Sequence, residues 1–315
     1  MLITIGAFDG FHKGHAELLR LCRENADGDN WGVISFEPHP AEYMHKLSRT
    51  LFTLRERELI RLVMAVPNMY FLSFTEALKN LAPYEFWQMV RERFCVDGLV
   101  MGSDFHFGLN RAGNAEYLSR LANHDGLSKI VIAEVVDKAE YSSSKVREMV
   151  EAGNVERAHE ILGYPFFMLC GVKHGFGRGR KMSFPTANID IAGRKFVHPA
   201  EGVYACAVIV DGRILAGAAS LGNNPTFGDV GDVRCEVHIP GYKGELYGHE
   251  LPVFFLGRVR SMRKFASQEE LAAQINMDIE ACDKVFASQS KDPVLKEFAA
   301  LYEARDLTSE VIRLV

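Results

Sequence analysis

The sequence predicts two domains of different class: an α/β domain with a doubly wound parallel sheet, followed by a small antiparallel β-barrel with a closing helix. Three observations predict this. At 315 residues the chain is longer than an average single domain. Before residue 163, short apolar runs alternate with helical patterns, as in a succession of βαβ units. After residue 164, β-rich runs follow one another between Gly, Asn, Pro and Asp residues, until the helical period returns near residue 267.

The first half contains five strand-like runs, each followed by a helical pattern. The strands are predicted in LITIGA, WGVISF, MYFLSF, DGLVMG and KIVIAEV. Several of these runs are apolar throughout, which is typical of strands covered by helices on both faces. Alternation of strand and helix implies parallel strands joined by right-handed crossovers. We therefore expect a Rossmann-like domain over residues 1–163.

The second half is built mainly of strands. They are predicted in FFMLCGVKHG, GVYACAVIVDGRILAGAASLG, VRCEVHI and ELPVFFLG. The pair Asp211-Gly212 between two β-rich runs predicts a tight hairpin turn. A helix in SQEELAAQINMDIEACDKVF closes the barrel, which we place at residues 164–287, and residues 288–315 add a helical tail.

Composition narrows the class of protein. Apolar residues make up 48% of the chain and charged residues 24%, and the net charge is −5, which argues against a dedicated nucleic-acid binder. Six widely spaced cysteines without a CxxC pair indicate a reduced, cytoplasmic protein, not a disulfide framework. The sequence has no basic leader and no apolar stretch of about 18 residues, so we expect neither secretion nor membrane insertion.

A histidine pair follows the first strand, in FDGFHKGH. Ligands of parallel α/β sheets bind beyond the carboxyl ends of the strands. Gly10 and Gly14 permit a sharp turn and a close backbone approach, and the next helix offers free N–H groups to an anion. His12 and His15 lie on one side of its first turn, where they can donate hydrogen bonds to phosphate oxygens. Phosphate binding is favoured over a metal site, which needs a third ligand, and over a structural pair.

Three more segments follow strands at the same edge of the predicted sheet. YSSSKVREMV starts a helix with three hydroxyl groups and Arg147. Serines at a helix start are by themselves mostly N-caps, but this position suits a triphosphate held from a second side. SFEPHP and GSDFHFG combine proline or glycine with aromatic residues, a combination that suits the wall of a binding site for a flat ring. Each of them alone fits a structural loop equally well.

Taken together, these four segments resemble the nucleotidyltransferase family and, more narrowly, its flavin adenylyltransferase module. The resemblance covers residues 2 to about 163, with departures at Ser103, where an acidic residue is common, and at Tyr141, where an aliphatic one is usual. It implies that His12 and His15 are catalytic in the transfer of AMP from ATP to FMN. It also implies nucleotide-binding residues, namely Gly6, Phe8, Asp9, Gly10, Ser142, Ser143, Ser144 and Arg147. The flavin-binding residues that it implies are Pro38, His39, Asp104, Phe105 and Phe107.

The barrel half carries a second group of polar residues. KHGFGRGRKMSFPTAN places glycines and basic residues before a strand, without the spacing of a Walker A loop. Thr186 and Asn188 are two apart on that strand, so their side chains face one way, and their oxygens suit Mg²⁺ that also holds phosphate. Glu236 in CEVHI can accept a proton from an attacking alcohol, but taken alone a surface position on the strand is the favoured explanation of this glutamate.

The segments GxxRGRxxxFPTAN, GVYA, LGNNPTFG and EVH followed by LYG resemble riboflavin kinase over residues 165 to about 287. The resemblance implies that Glu236 is the base and that Thr186 and Asn188 hold Mg²⁺. It assigns ATP phosphates to the glycine-rich loop, through Gly175, Gly177, Gly179 and Lys181. The one departure in that loop is Ser183, where glycine is usual.

The order of the two modules resembles the bifunctional riboflavin kinase/FAD synthetase family of bacteria. The resemblance implies that ATP is the co-substrate, that riboflavin, FMN and FAD are ligands and that Mg²⁺ is required. It implies no nucleic-acid or membrane partner and a monomer or weak homo-oligomer. Two alternatives stay open from the sequence: an enzyme with only one of the two activities, and a non-catalytic flavin- or nucleotide-binding protein.

Overall fold

The computed structural model describes residues 1–47, 49–134, 140–174, 184–191, 196–222 and 233–304. These residues divide into two compact units. The first contains Met1–Thr50 and Arg57–Ser143, and the second contains Leu51–Glu56 and the described chain from Ser144 onward. The predicted domain boundaries at residues 163 and 287 remain predictions.

The first unit is built on five parallel strands. In chain order its strands are β1 Leu2–Ile5, β2 Trp31–Glu37, β3 Asn68–Ser73, β4 Gly98–Gly102, β5 His106–Phe107, β6 Gly113–Asn114 and β7 Lys129–Ala133. Its helices are α1 Lys13–Asn25, α2 Pro40–Tyr43, α3 Leu54–Val63, α4 Glu76–Lys79, α5 Pro83–Phe94 and α6 Ala115–His124, with a 3₁₀ turn at Leu109–Arg111. The first three residues of α3 belong to the second unit.

The sheet of the first unit has the order β3-β2-β1-β4-β7, and every pairing in it is parallel. All five strands predicted from the sequence are present, and the doubly wound class is confirmed. The order changes direction at β1, so the chain leaves β1 and β4 at the place where such sheets bind ligands. The hairpin of β5 and β6 was not predicted, because strands of two residues leave no periodic pattern.

The second unit is a closed antiparallel barrel. Its strands are β8 Phe167–Lys173, β9 Thr186–Ile189, β10 Gly202–Val210, β11 Arg213–Gly222, β12 Arg234–His238 and β13 Glu250–Arg260. Its helices are α7 Ser143–Glu151, α8 Val155–Leu162, α9 Gln268–Gln289 and α10 Pro293–Ala304. The strands close in the order β10-β11-β12-β9-β8-β13. The predicted class, a small barrel with a closing helix, is confirmed.

The predicted hairpin turn joins β10 to β11. Val210 pairs with Arg213, so only Asp211 and Gly212 lie between the strands. Both have positive φ, 49° and 67°, which is the backbone that a two-residue primed turn requires and that Asp-Gly supplies at low cost. The turn therefore fixes the register of β10 against β11.

The last described helix, α10, has a packing role that the sequence alone does not reveal. Leu295 and Phe298 are fully buried. The Phe298 ring contacts three aromatic rings of the same unit at centroid distances of 5.1 to 5.7 Å, those of Tyr164, Phe167 and Phe254. The described part of the tail thus extends the barrel core.

Candidate active sites

A cleft of about 450 Å³ lies at the carboxyl edge of the parallel sheet. Many of the residues predicted for nucleotide and flavin binding line it, namely Gly6, Phe8, His12, His15, Asp104, Phe105, Ser142 and Ser143. They come from the ends of β1 and β4, from the start of α1 and from the beginning of α7. The structure thus brings together residues that are up to 137 positions apart in sequence.

The two histidines form a stacked pair at one wall of the cleft. His12 is the N-cap of α1, and its ring lies 3.8 Å from the His15 ring, centroid to centroid, at an interplanar angle of 21°. Phe8 also stacks on His15, at 4.5 Å. A Cβ on Gly14 would lie 3.1 Å from Nδ1 of His12, so any larger residue there would push the His12 ring by a few tenths of an ångström. The pair is held by its own loop.

His15 has an unusual electrostatic environment. Desolvation, the charge of His12 and the charge of Arg57 together lower its pKa well below the ordinary value. The ring is therefore neutral at pH 7, with one nitrogen donating and the other accepting. Its Nδ1 is buried and makes no hydrogen bond to the residues that the structure describes. A neutral imidazole beside the cleft can donate its N–H to an anion without first having to take up a proton.

Arg57 is a residue of this site that the sequence analysis did not single out. It is only 2% exposed, and its guanidinium donates to the carbonyl oxygen of Ala7 at 2.8 Å and to Oγ of Ser35. Glu37 Oε2 lies 3.6 Å from Nη1. The segment TLRERELIRL contains three arginines, and each of them resembles a surface charge of an amphipathic helix. No feature of the sequence distinguishes Arg57 from the other two. Arg57 itself is not part of the cleft lining, but five charged or titratable residues without a predicted role are, namely Glu17, His106, Arg111, Glu134 and Tyr141.

Several predicted residues of the first unit lie outside the cleft lining. Phe107 is 6% exposed and belongs to the hydrophobic core, stacked on Phe105 at 5.4 Å. His39 caps α2, where its Nδ1 accepts the amide N–H of Ala41 at 3.1 Å. Pro38 follows a cis peptide bond just before that cap.

Asp9 and Gly10 are buried in the loop between β1 and α1, also outside the lining. Ser144 and Arg147 belong to the second unit, where Arg147 Nη2 donates to Ser144 Oγ at 3.2 Å. The sequence had grouped these serines and this arginine as one phosphate-binding segment. In the structure the division between the two units falls between Ser143 and Ser144.

The barrel places three predicted residues on one face of neighbouring strands. On β9, Ala187 is buried and Thr186 and Asn188 are half-buried, so the latter two share a face, as predicted. Glu236 of β12 is directly opposite Asn188 in the antiparallel register. Thr186 Oγ1 donates to Glu236 Oε2 at 3.2 Å. A hydroxyl, an amide and a carboxylate therefore form one cluster of hard oxygen atoms.

His238 and a cavity lie next to this cluster. His238 pairs with Thr186 in the register, and its Nδ1 donates to the carbonyl of Pro185 at 2.8 Å. A cavity of about 230 Å³ is lined by Thr186 and by two tyrosines, Tyr242 and Tyr247. The Tyr247 ring stacks on His174 at 3.8 Å. The predicted loop residues Gly175, Gly177, Gly179 and Lys181, and the departure at Ser183, lie outside the described residues.

Comparison with known proteins identifies both halves. The FAD synthetase family model matches residues 1–146, and the riboflavin kinase model matches residues 162–286. A bifunctional riboflavin kinase/FMN adenylyltransferase from Pseudomonas fluorescens is 34% identical over 288 residues, 88% of this chain and 90% of the relative. The chain belongs to this bifunctional family. A relative of the same name from Listeria monocytogenes is 31% identical over 293 residues, 91% and 92% of the two chains.

The family membership confirms the resemblance drawn from the motifs and makes the chain a bifunctional transferase, with a riboflavin kinase part and an FMN adenylyltransferase part. A solved structure named as a macrolide-efflux protein from Streptococcus pneumoniae has a TM-score of 0.80 and 30% identity, over 90% of this chain and 93% of that one. This similarity shows a shared fold, and that name describes the other protein alone. Within the described residues no helix is long and apolar enough to cross a membrane.

Proposed function

We propose that the barrel unit transfers the γ-phosphoryl group of ATP to the ribityl hydroxyl of riboflavin, giving FMN. The first unit then transfers AMP from a second ATP to FMN, giving FAD and pyrophosphate. The observation that carries the proposal is that each of the two family matches contains its own cluster of reactive side chains. These are the stacked histidines at the sheet edge and the Thr186–Glu236 contact on the barrel.

In the kinase step Glu236 is the general base. The primary alcohol of riboflavin attacks the γ-phosphorus as its proton passes to the carboxylate, and the bond from the γ-phosphorus to the bridging oxygen breaks, releasing ADP. The hydroxyl of Thr186 donates to Oε2 and so orients the carboxylate, leaving the other oxygen for the proton. We assign ATP to the cavity beside Thr186, where the Tyr247 ring offers a flat apolar surface. Positioning and charge neutralisation supply most of the remaining rate.

Mg²⁺ would be held by Thr186 and Asn188 in this unit. The donor set fits, because the hydroxyl and amide side chains share one face beside a carboxylate, and such oxygen atoms are the ligands that Mg²⁺ prefers. Among the described residues no three His, Cys, Asp or Glu side chains are grouped as a metal site, so the proposed ligands are the hydroxyl and the amide. When bound, the ion neutralises charge on the ATP phosphates.

In the adenylyl step no base is needed, because the attacking oxygen belongs to the FMN phosphate, which is already an anion. It attacks the α-phosphorus of ATP, and the bond to the pyrophosphate oxygen breaks. His12 and His15 donate hydrogen bonds to the α-phosphate as its charge increases. The neutral state of His15 leaves its N–H available for this at pH 7.

The remaining predicted roles in this step belong to the same proposal. Nucleotide binding is assigned to the β1–α1 loop and the serine segment, through Gly6, Phe8, Asp9, Gly10, Ser142, Ser143, Ser144 and Arg147. Flavin binding is assigned to Pro38 and His39 after β2 and to Asp104 and Phe105 after β4, with Phe107 of β5 supporting the Phe105 ring from the core. We further propose a cytoplasmic monomer or weak homo-oligomer without a nucleic-acid partner, in keeping with six free cysteines and a net charge of −5.

The proposal is tested by supplying the purified chain with riboflavin and Mg-ATP and following FMN and FAD separately. We expect FMN to appear first and FAD after it, and FAD to form directly when FMN replaces riboflavin. Formation of only one product would support a single-activity enzyme. Binding of flavin without turnover of either kind would support a non-catalytic protein.

The role of Asn188 gives a prediction restricted to the kinase step. Asn188→Ala removes one oxygen ligand, and we expect the Mg²⁺ concentration for half-maximal FMN formation to rise roughly 10–100-fold. FAD formation from supplied FMN should stay unchanged. Asn276→Ala is the matched control, because Asn276 is exposed on α9 and its side-chain amide donates to the carbonyl oxygen of Ala272 in the same helix. An equal loss in both reactions would show that the assignment of Asn188 is wrong.

A further inference from the structure

Arg57 reaches three strands of the parallel sheet at their carboxyl ends. Its guanidinium donates to the Ala7 carbonyl just after β1 and to Ser35 on β2, and it lies 4.6 Å above the ring of Phe71 on β3. Glu37 at 3.6 Å supplies a counter-charge. A buried guanidinium with partners on neighbouring strands restrains the backbone at that edge, because it joins groups of all three strands in one polar network.

The most consequential partner is the carbonyl oxygen of Ala7. It accepts two hydrogen bonds of 2.8 Å, from Arg57 and from the hydroxyl of Ser35. The same peptide plane sets the φ angle of Phe8, which is 43°, in the left-handed region that a bulky residue rarely adopts. Two donors on one carbonyl can hold the plane in that orientation.

The conformation of Phe8 reaches the histidine pair directly. The Phe8 ring is fully buried and stacks on His15 at 4.5 Å, and His15 stacks on His12 at 3.8 Å. If the Ala7 peptide rotated, Phe8 would leave the left-handed region and its ring would no longer support His15. Arg57 thus acts on the imidazole rings through one peptide plane and one aromatic ring.

Arg57 also faces His15 electrostatically. The charged groups that act on His15 are His12 on its own helix and Arg57 on α3, and each of them lowers the pKa of His15. Arg57 is in turn faced by Asp9 and Glu37. The other titratable groups that line the cleft are Glu17, Asp104, His106, Arg111, Glu134 and Tyr141. Removal of the Arg57 charge is therefore expected to raise the pKa of His15.

We propose that Arg57 is a positioning residue for adenylyl transfer, which fixes the Ala7 peptide and through Phe8 the catalytic imidazole of His15. The proposal rests on the FMN adenylyltransferase activity proposed above for this unit. It assigns no contact with substrate to Arg57. Its effect is expected in kcat for FAD formation, because the geometry of the histidines matters most in the transition state.

The test compares Arg57→Met, Arg57→Lys and the control Arg61→Met, each assayed per folded molecule. Arg61 is one turn further along α3 and also buried, and it bonds to Glu58 and to the carbonyls of Val66 and Pro67, none of which lines the cleft. We expect Arg57→Met to lower kcat for FAD formation from FMN at least about tenfold, with KM within about threefold. Arg61→Met should cost stability and leave kcat per folded molecule unchanged.

A pH profile separates positioning from simple loss of structure. In Arg57→Met the acidic limb of kcat, and the His15 titration followed by NMR, should move to higher pH, because a positive charge that opposed protonation is gone. Arg57→Lys keeps the positive charge, so the pH dependence of its kcat should match that of wild type. Its kcat should still fall, because lysine lacks the planar guanidinium that donates several hydrogen bonds at once. If Arg57→Met does not fold, Ser35→Ala removes the other donor to Ala7, and kcat should fall several-fold.

The outcomes distinguish this inference from the proposed function. If wild type makes no FAD from FMN, the proposed function itself fails. If wild type makes FAD and Arg57→Met, or Ser35→Ala in its place, keeps kcat within about threefold, only the role of Arg57 is overturned. An equal loss of kcat in Arg57→Met and Arg61→Met would also overturn it, because the effect would then be general to buried arginines of α3.

Discussion

Glu236→Gln is expected to abolish nearly all riboflavin phosphorylation, with a loss in kcat of about 10²–10⁴-fold, because a primary alcohol is a poor nucleophile without a base. Glutamine keeps the size of the side chain, and its oxygen can still accept the hydrogen bond from Thr186. Riboflavin binding and FAD formation from FMN should therefore survive. The measurement is kcat for FMN formation per folded molecule, with KM for riboflavin determined alongside.

The competing view of Glu236 is structural. On that view the carboxylate only holds Thr186 in place, so glutamine would lower the melting temperature and leave the folded fraction active. A kcat within about threefold of wild type would end the assignment of Glu236 as base. Glu280→Gln is the matched control, because Glu280 is exposed on α9 in the same unit, and it should change neither quantity.

His12→Ala is expected to reduce FAD formation from FMN by roughly 10²–10³-fold, the cost of removing one donor to a developing anion. FMN formation from riboflavin should stay near the wild-type rate, because His12 belongs to the first unit and the kinase residues belong to the second. The two rates are measured separately, the first with supplied FMN and the second with riboflavin.

His124→Ala controls for the loss of a histidine from the same unit. The His124 side chain is 86% exposed at the end of α6, and its ring contacts only Asp125 among the contacts that the structure gives for it. It should leave both rates unchanged. Loss of both activities in folded His12→Ala would refute the assignment of His12 to one reaction.

Local sequence patterns were enough to predict most of the fold. The five parallel strands and the Asp211-Gly212 turn follow from apolar runs and turn chemistry, which act over a few residues. Alternation along β9 was enough to place Thr186 and Asn188 on one face. The strand order, the hairpin of β5 and β6 and the packing of Phe298 depend on contacts between distant segments, which no local pattern specifies.

The candidate sites were predictable only in part, for a similar reason. His12 and His15 stand in one short motif at the end of a strand, so spacing alone brought them together. Phe105 and Phe107 look alike in sequence, yet one lines the cleft and the other belongs to the core. The proposed role of Arg57 depends on a carbonyl partner 50 residues away and a hydroxyl partner 22 residues away, and a single sequence holds no signal of either contact.

The account holds that two independent sites in one chain convert riboflavin to FAD through free FMN. Mixing the variants His12→Ala and Glu236→Gln tests this most directly, because each retains the site that the other has lost. With riboflavin and Mg-ATP, neither variant alone should form FAD at an appreciable rate. The mixture should form FAD after a lag in which FMN accumulates. A mixture that forms no FAD, although each variant keeps its remaining activity, would contradict the account.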